Sequence, residues 1–240
     1  MSAPDVILRA LRARLHAEGL HIVLPLSGRA FDESCATSGG ARARAWLPDA
    51  AGAVLIGDGG PRFFARFRAM RAPDTSSEAL NPLDDFTRRR VESAVTDVLG
   101  PAGLPHRLLY PFGDGTAPLP FQRLGQAAGL PAPGPLGIQL HPDFGPWWAY
   151  RALVIMPLPL ETELPLTASC PPCDRPCVRG CPTHASERGA LPTCGDLCGA
   201  RLRCPIGSAQ RYPADQIAFH GRAREAMMRA HATRGSRDPA

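Results

Sequence analysis

The sequence predicts an α+β sandwich followed by a cysteine-rich segment, and three observations carry that expectation. Helical and β-like apolar runs intermingle along the chain without an internal repeat, which favours helices laid on one sheet. Pro 27 and Gly 24 in 240 residues mean that much of the chain is loop. Seven of the 8 cysteines fall between Cys170 and Cys204, a density that sets this stretch apart from the rest. The expected division is a core over 1–166, a cysteine segment over 167–212, and a closing helix and tail over 213–240.

Element by element, Val6, Ile7, Leu11 and Leu15 recur at helical spacing after Ser2 and Pro4, and Gly19 stops the helix. His21 to Leu26 reads as a short strand ended by Pro25 and Ser27-Gly28. Gly52 to Gly57 reads as a buried strand with Asp58-Gly59-Gly60-Pro61 as its turn. Pro61 opens a helix through Arg71. Asn81-Pro82 caps another that runs from Leu83 to Leu99 and stops at Gly100-Pro101. His106 to Phe112 is a strand and Pro120 to Leu130 a helix. Gly137 to Leu140 and Trp147 to Met156 are predicted to pair as strands across His141–Gly145. Pro213 to Ala232 is the last helix, and the tail after Arg234 is expected to be disordered.

Charge excludes little. The 27 basic residues are all arginine, and the net charge of +5 is spread along the chain. No basic run is interleaved with aromatics, so nucleic acid is not an expected partner. Nor does any apolar run approach the ~20 residues of a membrane span. Arg9, Arg12 and Arg14 break up the N-terminal helix, so no secretory signal is expected. A cytoplasmic location follows as an expectation, and that reducing compartment suits free thiolates.

The cysteines carry the chemistry. Cys170, Cys173, Cys177 and Cys181 are followed by Pro182, and Cys194, Cys198 and Cys204 by Pro205. Runs ending in Cys-Pro are the ligation pattern of bacterial iron–sulfur proteins, here with one extra residue before Cys177. Where two clusters share such runs, the Cys before Pro crosses to the other centre. Cys170, Cys173, Cys177 and Cys204 then surround one [4Fe-4S] cluster, leaving Cys181, Cys194 and Cys198 one ligand short of a second. Structural zinc, with His184 as a fourth ligand, accounts for four positions but not for seven thiols. A disulfide framework belongs to secreted domains. Cys35 is isolated and reads as a small buried residue.

Gly137-Ile138-Gln139-Leu140-His141-Pro142-Asp143-Phe144-Gly145-Pro146-Trp147-Trp148, followed by Tyr150-Arg151-Ala152-Leu153-Val154, resembles the His-Pro-x-Phe-Gly-x-Trp segment of the cobalamin-processing (CblC-type) decyanase and dealkylase family. It is also similar to the Pro-x-Phe-Gly segment of the epoxyqueuosine reductase family. Pro118 and Ala128-Gly129-Leu130 extend the second likeness, and Gln210-Arg211-Tyr212-Pro213-Ala214-Asp215-Gln216 the first. The animal cobalamin-processing proteins lack the cysteines, whereas epoxyqueuosine reductase carries two ferredoxin-like clusters after the same core.

The resemblance implies a flavin-reductase-like (nitroreductase-type) core that holds cobalamin. It implies that His141, Phe144, Gly145 and Trp148 lie against the corrin; as strand residues Trp147 and Trp148 point to opposite faces, one to the core and the other to the cofactor. Arg151 falls where the first family binds its thiol co-substrate, and Arg203 and Arg211 match arginines of that family's C-terminal segment. Asp114 lies near the proton donor of the second family but one residue out of register, and a Gly-Asp-Gly turn accounts for it without chemistry.

The activity expected is that of a cobalamin-dependent oxidoreductase. Cluster electrons, supplied by an external donor such as a flavodoxin or ferredoxin, reduce cobalt for removal of its upper ligand or for reduction of a small substrate. A ferredoxin-like electron carrier and a zinc-stabilised binding protein without cobalamin are the alternatives.

Overall fold

Two strands buried on both faces organise the core. The computed structural model describes residues 2–70, 82–112, 119–163, 170, 172–180 and 199–222. The elements run α1 (Ala3–Ala17), β1 (Ile22–Ser27), α2 (Gly28–Ala36), α3 (Ala43–Trp46), β2 (Gly52–Gly59), α4 (Arg62–Met70), α5 (Pro82–Leu99), β3 (Arg107–Leu109), α6 (Phe121–Ala127), β4 (Trp148–Met156), α7 (Pro176–Arg179) and α8 (Gly199–Leu202). Residues 214–222 are helical again. The α+β class expected from the sequence is the one observed.

The sheet is antiparallel with strand order β1-β2-β4-β3. Side chains alternate across it. Val54, Ile56, Ala152, Val154 and Met156 face a core shared with α1, α4 and α5. Ala53, Leu55, Leu153 and Ile155 face a second core shared with α2 and α6. Helices therefore cover both faces, and β2 and β4 read as nearly continuous apolar runs for that reason. Pro25, expected to end β1, lies inside it opposite Val54. An edge strand tolerates a residue with no N–H.

α1 begins as predicted. The Ser2 hydroxyl accepts from the Asp5 N–H and the Asp5 carboxylate accepts from the Ser2 N–H, a reciprocal capping box. Just past its end, the buried Glu18 carboxylate pairs with Arg14, Arg66 and Arg90, drawn from α1, α4 and α5. Burial pushes its carboxyl up, but the three guanidiniums outweigh that and hold it below the usual range.

Two expectations need correction. Asp58 is not part of a turn: β2 runs on to Gly59, and the chain bends only at Gly60 and Pro61. Gly137 to Leu140 is not a strand. β4 pairs with β2 along its length and with β3 at Leu153–Ile155, and Gly137 to Leu140 joins neither edge. The segment instead turns on itself through Gly137 N–H to Gly134 O and Gly134 N–H to Ile138 O, at 2.9 and 3.0 Å.

Candidate cofactor turn and cysteine segment

The predicted site turn leads directly into β4. His141 and Gly145 exchange backbone hydrogen bonds at 2.9 and 2.8 Å, closing the loop. The Asp143 N–H donates to His141 Nδ1 at 3.2 Å, which leaves Nε2 as the protonated nitrogen. Burial pushes the imidazole down to about 4, against the opposing pull of Asp143, so His141 is neutral at physiological pH. Phe144 packs on the His141 ring at 4.9 Å and covers Gly59, where a Cβ would run into it.

Behind the turn lies a network organised by Gln139, which sequence reasoning did not single out. The buried Gln139 amide donates to the carbonyls of Gln122 and Pro131 at 3.1 and 2.9 Å, and its oxygen accepts from the Tyr150 hydroxyl. Trp148 Nε1 donates to the Gln139 carbonyl at 2.8 Å. Trp148 thus belongs to the α2/α6 core. Trp147 faces the other way, edge-on to Tyr212 at 5.5 Å and beneath the Arg201 guanidinium at 4.7 Å. The two tryptophans point apart as expected.

Arg151 occupies a bulge. Ile56 pairs with Ala152 and Gly57 with Tyr150, so Arg151 is the extra residue on β4. Its guanidinium is turned to the α4 side over Phe63 and donates through Nε to Asp58, which is 0% exposed. Burial alone opposes its charge, but Asp58 more than compensates and its pKa is raised. An arginine placed by resemblance on a thiol co-substrate is thus bound to a carboxylate of its own chain.

Near this pair, Asp58 Oδ2, Trp147 Nε1, Arg201 Nε, the Tyr212 hydroxyl and His220 Nε2 are buried with no hydrogen-bond partner in good geometry among the described residues. Burial, with Asp58 adding, pushes the Tyr212 hydroxyl up to about 12. Burial, with Arg151 and Arg201 adding, pushes His220 down to about 3. Asp58 was missed because its Gly-rich flanks mimic a turn, and its partner lies 93 residues away.

Four predicted ligands are described and form no disulfide. Cys170 and Cys173 are exposed, Cys177 and Cys204 buried. They sense one another. Burial raises the Cys170 thiol, with Cys173 and Cys177 adding. Burial also raises that of Cys204, opposed by the Ile206 N–H and reinforced by Cys177, Cys170 and Cys173. Among the described residues, however, no group of three or more His, Cys, Asp or Glu is assembled as a metal site.

The extra residue before Cys177 has a structural counterpart. Arg175 adopts the left-handed conformation (φ 49°), and Pro176 then opens α7 and turns Cys177 inward. Cys177 packs with Leu136 and Ala200. Arg203 lies over Gly180 at the end of α7, and Arg211 donates to the Leu202 carbonyl at 2.8 Å. Cys35 is buried in α2, apart from the others, and its thiol is pushed up to about 11 by burial. Asp114, Cys181, His184, Cys194 and Cys198 lie outside the described residues. An open cavity of about 560 Å³ between α2 and α6, lined in part by Glu33, Ser34, Arg123 and Gln126, includes no residue of the turn.

No protein-family model matches the chain, and no curated protein matches it. Solved structures do share its fold. A C. elegans B12-trafficking protein CblC, a human MMACHC homologue, superposes with a TM-score of 0.63 at 20% identity, covering 90% of this chain and 91% of its own. An epoxyqueuosine reductase gives 0.60 at 15%, covering 88% and 68%. Epoxyqueuosine reductase with an epoxyqueuosine-modified tRNA-Tyr stem loop gives 0.58 at 14%, covering 90% and 69%. The fold is thus common to a B12-trafficking protein and to a reductase. The tRNA stem loop on one of them means that charge patterning alone does not carry the expected exclusion of nucleic acid. Among the described residues, no helix is long and apolar enough to cross a membrane.

Proposed function

We propose that this chain is a cobalamin-binding reductase that carries an iron–sulfur cluster. The observation that carries the reading is that Cys177 packs with Ala200 of α8, while the chain just after Cys204 returns against the Phe144–Gly145 turn. The chemistry of the cysteines fits the group. Four thiols from a Cys-x2-Cys-x3-Cys run and a remote Cys-Pro can hold one [4Fe-4S] cluster, and the free thiols leave cystine bridges without support here.

When bound, the cluster supplies single electrons and the corrin supplies the cobalt that receives them. The chain's own work is to bind and orient. His141, neutral and with Nε2 protonated, offers a hydrogen bond to a corrin side-chain amide. Phe144 supplies an apolar wall, backed by Trp148 in the α2/α6 core, while Gly145 is turned to Ile206 and Gly207 of its own chain. Arg211 and Arg203 remain exposed at the cysteine segment for a thiol or other anionic co-substrate. Arg151 is committed to Asp58 and holds the end of β4. Asp114 is given the role of proton donor on the resemblance alone. Reductive removal of cobalt's upper ligand is the first reaction class, reduction of a small substrate the second, with electrons from a flavodoxin or ferredoxin in the cytoplasm.

Anaerobic purification with iron, sulfide and zinc analysis, followed by cobalamin titration, tests the reading. Iron with equimolar sulfide and a shifted cobalamin spectrum are expected. Zinc without sulfide identifies a zinc-stabilised binding protein, and a cluster with an unchanged cobalamin spectrum identifies an electron carrier.

A further inference from the structure

The chain after Cys204 and the turn before β4 meet at two glycines. Gly145 (φ +54) and Gly207 (φ +63) both hold left-handed backbone. A Cβ on Gly145 would stand 2.6 Å from the Ile206 carbonyl carbon and 2.9 Å from the Gly207 nitrogen. One on Gly207 would stand 2.6 Å from the Gly145 nitrogen and press into the Phe144 carbonyl. Each glycine is therefore required twice, for its own conformation and because the other strand of chain fills the space a side chain would need. A third tie reinforces the contact. Arg201 donates to the Pro146 carbonyl at 2.5 Å and spreads over the rings of Trp147 and Tyr212 at 4.7 and 4.9 Å.

We infer that Gly145 and Gly207 are positioning residues, forming a backbone seam that fixes the Cys204 loop against the Phe144 turn. The inference rests on the proposed function, in which Cys204 holds the cluster and Phe144 faces the corrin. Electron transfer falls steeply with the width of the gap between donor and acceptor. A seam without side chains brings the two chain segments as near as backbone permits. It also makes Cys204 a buried thiol while Cys173, on the same segment, is open.

The seam can be tested on the full-length chain with and without metal. In reduced, metal-free protein, alkylation followed by mass spectrometry is expected to modify Cys173 rapidly and Cys204 at least tenfold more slowly. Gly207→Ala is expected to raise the Cys204 rate at least tenfold and leave that of Cys173 unchanged. Gly103→Ala is the control, since Gly103 (φ +64) carries the same backbone strain with nothing within 4 Å of an added Cβ. It is expected to leave both rates alone. In cluster-loaded protein of matched iron content, Gly207→Ala is expected to slow cobalamin reduction at least tenfold.

A Cys204 that is already fast in the unaltered chain, or one still protected in Gly207→Ala, overturns the seam. If Gly207→Ala does not fold, Arg201→Gln removes the third tie without touching a left-handed position. It should raise the Cys204 rate several-fold, and an unchanged rate overturns the inference. Absence of iron or of cobalamin binding in the unaltered chain defeats the proposed function instead, and leaves the alkylation contrast standing as a separate result.

Discussion

The sheet and the cysteine segment are built by different physics. In the sheet, β2 and β4 bury apolar side chains on both faces, and the antiparallel ladder satisfies their backbone. The described part of the cysteine segment has two four-residue helices, one small apolar cluster of Leu136, Cys177 and Ala200, and arginine–aromatic contacts to the turn. Apolar burial contributes about 25 cal/mol per Å² removed from water, so the sheet is self-sufficient, whereas the described residues of the segment have little of that stabilisation. What the difference teaches is where ligand binding and folding are coupled. On the proposed function, metal binding and folding of this segment are coupled through its thiols.

The sharpest break in the contrast is expected at Asp58. Asp58→Ala strands the buried Arg151 charge and should cost roughly 3–5 kcal/mol in urea unfolding. Replacing both residues with apolar ones of similar volume should cost much less.

Acid comes next. His141 is held neutral in the folded chain with a pKa of about 4, against 6.5 for the free side chain. The unfolded chain therefore binds a proton that the folded one refuses. Stability is complete above pH 6.5 and declines as pH falls from 6.5 to about 4, by roughly 3 kcal/mol for this residue. His220, pushed down to about 3, adds a loss of the same sign. Urea midpoints at pH 7 and pH 4.5 measure the slope, and His141→Gln should flatten it.

Ser2→Ala removes the α1 cap and should cost about 1 kcal/mol. The smallest effect on stability is expected in the segment. Cys173→Ser, at an exposed position, should change metal-free unfolding by less than about 0.5 kcal/mol yet abolish iron retention. A large loss of metal-free stability would mean that the segment is as self-supporting as the sheet.

Much of this was legible in advance where the signal is local. Ser2 with Asp5, and the periodicity closed by Gly19, mark α1. The apolar run 52–57 marks β2, and the Cys-Pro endings mark the ligand candidates. Local signals also misled. Gly137 to Leu140 has strand composition, but its backbone bonds to itself through Gly134 and Ile138, and Gln139 is spent on a side-chain network. Gln139 escaped notice because its value lies in four hydrogen bonds made to distant parts of the chain.

By itself the sequence determined the intermingled α and β elements, the opposed tryptophans and the cysteine spacing, since each depends on periodicity or on close neighbours in the chain. Tertiary structure alone decided that Asp58 would neutralise Arg151 and that Gly145 would meet Gly207. Both depend on a bulge in β4 and on the return of the chain after Cys204. Contacts between remote residues are settled by packing in three dimensions, and no short window of sequence encodes them.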